Sequence, residues 1–125
     1  MEDPKALAEK VLKSDASLEW VTVMNDKGKT LSHIQSPNFL PGPRVDSETI
    51  ERLGTIDSVM LGAFSQAEAW YGRMDYALLA HEFALIILIR DGTRRLLYAL
   101  KAQRSQDAEY LFGKVKAALR TSKGR

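Results

Sequence analysis

The stretch from Phe83 to Ile89 (FALIILI) has no polar side chain, and it constrains the fold more than any other part of the chain. Successive side chains of a strand point to opposite faces. A strand with one wet face would therefore carry a polar residue at every second position. This run carries none, which predicts an inner strand covered on both faces. Asp91-Gly92 follows, a dipeptide that suits the positive-φ positions of a tight hairpin turn, and Arg95 to Ala102 is predicted to return as the next strand. Upstream, Tyr76 to Glu82 alternates, with Tyr76, Leu78, Ala80 and Glu82 on one side and Ala77, Leu79 and His81 on the other. Turns this short allow only an antiparallel meander, so the rest of the chain must supply two covering layers.

Those layers are legible in order. Asp3-Pro4 is a helix start, and Leu7, Ala8, Val11 and Leu12 form one apolar stripe up to about Lys13. Leu18 to Met24 reads as a strand. Asn25 to Gly28 turns the chain, with Gly28 as the left-handed position. Lys29 to Ile34 returns as a more polar strand suited to a sheet edge, with Leu31 marking its buried face and Lys29 discouraging further pairing. Ser36 to Arg44 holds three of the four prolines and predicts a loop, pinned to the core by Phe39 or presenting Phe39 and Leu40 to a partner.

Asp46 opens the longest predicted helix, with Val45 and Ile50 as a hydrophobic staple. Its apolar face runs through Ile50, Leu53, Ile56, Met60, Phe64, Ala67 and Trp70, while Gly54, Gly62 and Ala63 are small enough for a second backbone to approach. So much apolar surface predicts a helix that faces both its own sheet and a partner. Glu48, Glu51 and Glu68 read as its solvated side, with Arg52 paired to Glu48. Tyr71-Gly72 ends it. The strand Tyr76–Glu82 contains no Pro, Lys or Gly, so at a sheet edge it lacks the usual guards against pairing with another chain. Ser105 is predicted to cap a last helix whose stripe is Ala108, Leu111, Phe112, Val115 and Leu119, with Lys114, Lys116 and Arg120 outward.

The 125 residues predict one domain, with residues 121–125 a flexible basic tail. No apolar run reaches the ~20 residues of a membrane helix, and MEDPKALAEK lacks the features of a secretory signal, so the expected location is cytoplasmic. The absence of cysteine excludes disulfides, thiolate catalysis and Cys-ligated metals. Of the two histidines, His81 adjoins Glu82 on the opposite face of a strand, so no metal site is expected. No phosphate-binding glycine motif or nucleophile elbow occurs, and neither a cofactor nor an enzymatic activity is expected. Residues 1–70 carry a net −4 (7 Lys/Arg, 11 Asp/Glu) and residues 71–125 a net +6 (11 and 5). The basic residues are dispersed and not interleaved with exposed aromatics, which disfavours nucleic acid. Arg90, Arg94 and Arg95 around the turn could grip a phosphate or carboxylate, exposed hairpin charge being the simpler account.

The order helix, two strands, helix, three strands, helix gives an α+β fold: a five-stranded antiparallel sheet with helices on both faces. Carried by LEWVTVMNDKGKTL, the long helix after the proline loop and ALIILIRDGTRRLLYAL, this order resembles the roadblock/longin group, especially the roadblock family of dynein light chains and prokaryotic relatives. The resemblance implies a non-enzymatic homodimeric scaffold or regulator of a small GTPase or another protein complex. Its dimer contacts would fall on Tyr76, Leu78, Leu79, Ala80 and His81 of the strand, and on Met60, Ala63 and Phe64 of the long helix. Phe39, Leu40, Arg44, Arg90, Arg94 and Arg95 are the candidate partner contacts. The alternative is a ligand-sensing or peptide-binding module of PAS or profilin type, which shares the sheet; the filled character of FALIILI opposes the cavity a sensor needs.

Overall fold

The computed structural model describes residues 2–37 and 47–121, with the backbone alone for Ser47, Ile50, Glu51 and Thr121. The elements are α1 (Pro4–Lys13), β1 (Leu18–Asn25), β2 (Thr30–Gln35), α2 (Ser47–Ser65), α3 (Glu68–Tyr71), β3 (Tyr76–Ala80), β4 (Leu85–Asp91), β5 (Leu96–Ala102) and α4 (Ala108–Thr121). The five strands form one antiparallel sheet in the order β2-β1-β5-β4-β3. The predicted α+β architecture is therefore observed. The expected staple of Val45 and Ile50, the Asp46 start, most of the proline loop and residues 122–125 lie outside the described residues or side chains.

Helices α1 and α4 cover one face. Leu7 and Val11 of α1, with Leu111 and Val115 of α4, meet Val21, Ile87, Tyr98 and Leu100 of the sheet, all essentially dry. Burying each such side chain stabilises the fold by about 1.5–3 kcal/mol, so this face anchors the molecule. Asp3 stands at the N-cap of α1, and its carbonyl, not its carboxylate, accepts the Leu7 N–H at 3.0 Å. The other face has a smaller core of Met24, Leu61, Leu88, Leu97 and Ala99 under α2.

The structure departs from the sequence pattern at several positions. The inner strand begins at Leu85; Phe83 stands in the turn before it, 82% exposed, because the His81 N–H bonds the Ala84 carbonyl at 2.8 Å and turns the chain. Strand β3 accordingly ends at Ala80 and excludes His81 and Glu82. The β4–β5 turn spans four residues, and its left-handed residue is Arg95 (φ 58°), not Gly92. The Asp91 carboxylate shapes it by accepting the Arg94 N–H at 3.2 Å. Leu31 is not on a buried face; it is the extra residue of a bulge where Val23 pairs Ser32 and Met24 pairs Thr30, and it is exposed. Asp107, not Ser105, caps α4, its carboxylate accepting the Glu109 N–H at 3.0 Å. Gly28 is left-handed as expected (φ 85°).

The long predicted helix is two. The Ser65 hydroxyl donates to the Leu61 carbonyl at 2.6 Å, back-bonding that bends helices, and the Gln66 and Ala67 N–H groups then bond only three residues back, to Ala63 and Phe64. Glu68 is not on a solvated face. It accepts the Met74 N–H at 2.7 Å and pairs with Arg90 at 3.3 Å, tying α3 to the start of β3 and the end of β4.

Candidate interaction surface

Strand β3 pairs with β4 alone, so its other side is a sheet edge. Backbone groups on such an edge are a template for another strand. The opposite edge, β2, carries a bulge and an exposed Lys29 beside its start. Between Tyr76 and Ala80 β3 carries no such guard. Leu78 is 43% exposed at its centre, and Tyr76, on the same face, is held by α4, its hydroxyl donating to Glu109 at 2.7 Å. That bond pushes the Tyr76 pKa up to about 12.

Helix α2 covers the other face of the sheet, with its own faces in an unusual arrangement. Gly54, Ser58, Leu61 and Ser65 recur at four- and three-residue steps and form the side turned to the molecule. Gly54 backs onto Gly28, so closely that a methyl on either would meet the other's carbonyl oxygen at 2.4 Å or less. The Ser58 hydroxyl donates to the Asp26 carbonyl at 2.9 Å, and Leu61 is 2% exposed. Small residues thus draw the helix down onto the β1–β2 hairpin. The apolar stripe predicted from periodicity lies roughly 120° around the helix at ~100° per residue, where Leu53 (48%), Ile56 (50%) and Phe64 (58%) stand open, with Val59 beside them. Met60 joins the two regions, packing on the inner cluster as do Ala77 and Leu79 of β3. Gly62 has open space around it and Ala63 is exposed.

The predicted contacts therefore divide between the two faces of the sheet: Tyr76 and Leu78 point to the α4 side, opposite Ile89 and Ile87, while Leu79 and Met60 pack on the α2 side, where Ala63 and Phe64 stand exposed on the helix, and Ala80 is exposed at the end of β3. His81 lies just beyond it in the turn. Asp57 lies on the flank between the inner side of α2 and the stripe. Burial pushes its carboxyl up to about 6, and no cation pairs with it among the described residues.

The candidate partner contacts divide differently. Phe39, Leu40 and Arg44 lie outside the described residues. Each of the three turn arginines faces a carboxylate: Arg90 pairs with Glu68, Arg95 with Asp26 at 3.4 Å, and Arg94 with both Glu2 and Asp91 at 2.8 Å. Arg94 also donates to the Leu119 carbonyl at 3.0 Å, so it clamps α4 and the N-terminus to the turn. His33 shares a 2.6 Å hydrogen bond with Thr22 and lies beside Trp20, ring centres 5.4 Å apart; burial lowers its pKa. Among the described residues no group of three His, Asp or Glu is placed to hold a metal, and no helix is long and apolar enough to cross a membrane.

No family model and no curated protein matches the sequence. Solved structures do match the fold. The roadblock/LC7 domain from Streptomyces avermitilis superposes with a TM-score of 0.72 at 13% identity, covering 98% of this chain and 97% of that one. The gliding protein MglB from Thermus thermophilus gives 0.65 at 17% identity, over 94% of this chain and 80% of that one. A further MglB structure, described as a tetrameric arrangement, gives 0.66 at 18% identity, over 94% and 79%.

Proposed function

We propose that this chain, a roadblock/longin-like domain by its fold, acts without catalysis as a homodimer that presents a joined surface to a regulatory partner. The carrying observation is that the main apolar stripe of α2 is exposed, turned away from its own sheet, in a subunit that also has an unguarded sheet edge at β3. A two-fold axis through β3 pairs that strand with its copy, extends the sheet and brings the two stripes together, each patch meeting itself. The tetrameric arrangement described for one MglB structure is a property of that protein, and it agrees with self-association on this scaffold. A small GTPase is the partner class that the family resemblance implies.

Sedimentation velocity at about 10 µM, a concentration well above the Kd of a stable interface, tests the reading. Wild-type protein should sediment at twice the 14.0 kDa chain mass. Phe64→Glu should sediment as single chains with an unchanged far-UV spectrum, because Phe64 is 58% exposed in the subunit. Monomeric wild type, or a Phe64→Glu dimer, contradicts the assignment. Capture of small GTPases loaded with GDP or a GTP analogue should follow the dimer and be lost in that variant.

A further inference from the structure

A second surface lies on the side of α4. At the end of the sheet where β4 turns into β5, an open cleft of about 460 Å³ lies between the turn, the start of β3 and the last turns of α4. Five cationic side chains line it against two carboxylates. Arg90 and Arg94 are already engaged by acidic groups, and Asp91 by Arg94. Arg73, Lys116 and Arg120 are exposed and face no carboxylate within ion-pair distance among the described residues. Against them stands one unpaired acid, Asp75. Half-buried Met74 and Phe112 form an apolar floor, and the Lys116 ammonium lies 5.7 Å from the Phe112 ring centre.

We infer that this cleft binds an acidic segment of a protein partner, one with an apolar residue set between carboxylates. An excess of unpaired cations creates a positive potential that speeds encounter with, and selects for, an acidic chain. The floor offers the apolar contact that a bare anion does not use. The cleft is not enclosed, so a chain can lie in it. The inference goes beyond the dimer reading and does not depend on it, because the cleft is built within one subunit.

The test uses the full chain and a fluorescein-labelled peptide with a Glu-Glu-Leu-Glu-Glu core, followed by anisotropy and by amide shifts in NMR. Binding is expected to move the amides of Thr93 and Lys116 and to weaken as salt rises from about 20 to about 200 mM, as screening shortens. Arg73→Glu/Lys116→Glu/Arg120→Glu should lower affinity at least about ten-fold, a change of about 1.4 kcal/mol. The same three sites changed to Gln should show a smaller loss in the same direction. Lys5→Glu/Lys27→Glu/Lys29→Glu makes the same change in net charge elsewhere and should leave affinity within about two-fold, as for sites without short-range contact. Absence of binding by wild type, equal loss in the control triple, or unchanged affinity in the Gln triple would overturn the inference. Equal competition by inorganic phosphate at the same amides would also overturn it, in favour of a small-anion site.

Discussion

Replacing Gly54 by alanine puts the seating of α2 to the test, because two effects of opposite sign compete there. In an open helix interior the change is favourable by up to about 1 kcal/mol, since glycine loses more backbone freedom on folding. At Gly54, however, the new methyl would stand 2.4 Å from the Gly28 carbonyl oxygen and 3.0 Å from the Met24 sulfur. Met24 is 1% exposed and has little room to move aside, and the Gly28 oxygen belongs to a turn fixed by its left-handed residue. Overpacking of this kind costs about 1–3 kcal/mol, and a backbone oxygen places it at the upper end. The net expectation is a loss of about 1–2 kcal/mol, or about 4–8 °C in Tm for a chain of this size. Gly62→Ala is the control: nothing lies within 4 Å of its added methyl, so it should gain about 0.5–1 kcal/mol. Urea unfolding of both variants and wild type at one protein concentration reads the difference, since self-association makes stability concentration-dependent. A Gly54→Ala protein as stable as wild type would mean that α2 does not press on the hairpin, and the outward aim of its stripe would lose its cause.

Three further outcomes follow from the same geometry. Phe64→Ala removes about 115 Å² of open ring per copy, if phenylalanine presents about 200 Å² and 58% is exposed. At ~25 cal/mol per Å² that is at most about 3 kcal/mol per subunit and about 6 kcal/mol per dimer; with about half of it realised in the contact, the dimer Kd measured by dilution should rise by about 100-fold. Arg94→Met leaves Asp91 without its cation, both being nearly buried (13% and 10% exposed). It should cost about 2–4 kcal/mol by urea unfolding, partly recovered by adding Asp91→Asn. Asp57→Asn should stabilise the fold by about 1 kcal/mol at pH 7, discounted for partial exposure. The sign is set by the folded carboxyl standing at about 6 against 3.8: ionised Asp57 opposes folding. The gain is full above about pH 6, shrinks as pH falls, and is gone below 3.8, which paired unfolding curves across that window would show.

How far the sequence reveals this molecule depends on what each pattern encodes. The strand core of FALIILI was readable because two-sided burial leaves no polar position, and Ile87 and Leu88, on opposite faces, are both fully dry. Apolarity alone does not say where a turn begins, and Phe83, apolar as the run that follows it, stands in the turn. The Asp-Gly pair suggested a two-residue turn, yet the four-residue turn that formed puts the left-handed position at Arg95. For α2, periodicity identifies a face but not what the face meets. Leu53, Ile56 and Phe64 would recur identically whether they met their own sheet or a second subunit. The discriminating signal was the row of small residues beginning at Gly54, which only the hairpin contact explains. Glu68 looked like surface charge because its partners, the Met74 amide and Arg90, arrive from other elements. The sequence pattern leaves the edge position of β3 conditional, with only the family resemblance pointing to it, and it does not reveal the cleft beside α4, which joins residues from Arg73 to Arg120.

The self-pairing of β3 can be measured directly because the chain has no cysteine, so a single Leu78→Cys variant takes one nitroxide label per subunit. Antiparallel pairing of a five-residue strand with its own copy, at ~4.8 Å between strands and ~3.4 Å per residue, holds the two residue-78 Cα atoms about 5–9 Å apart. Continuous-wave EPR should then show strong dipolar broadening that disappears when labelled protein is diluted into an excess of unlabelled chain. Sharp, unbroadened lines at concentrations where the protein sediments as a dimer would contradict the account, since the subunits would then be meeting somewhere other than this edge.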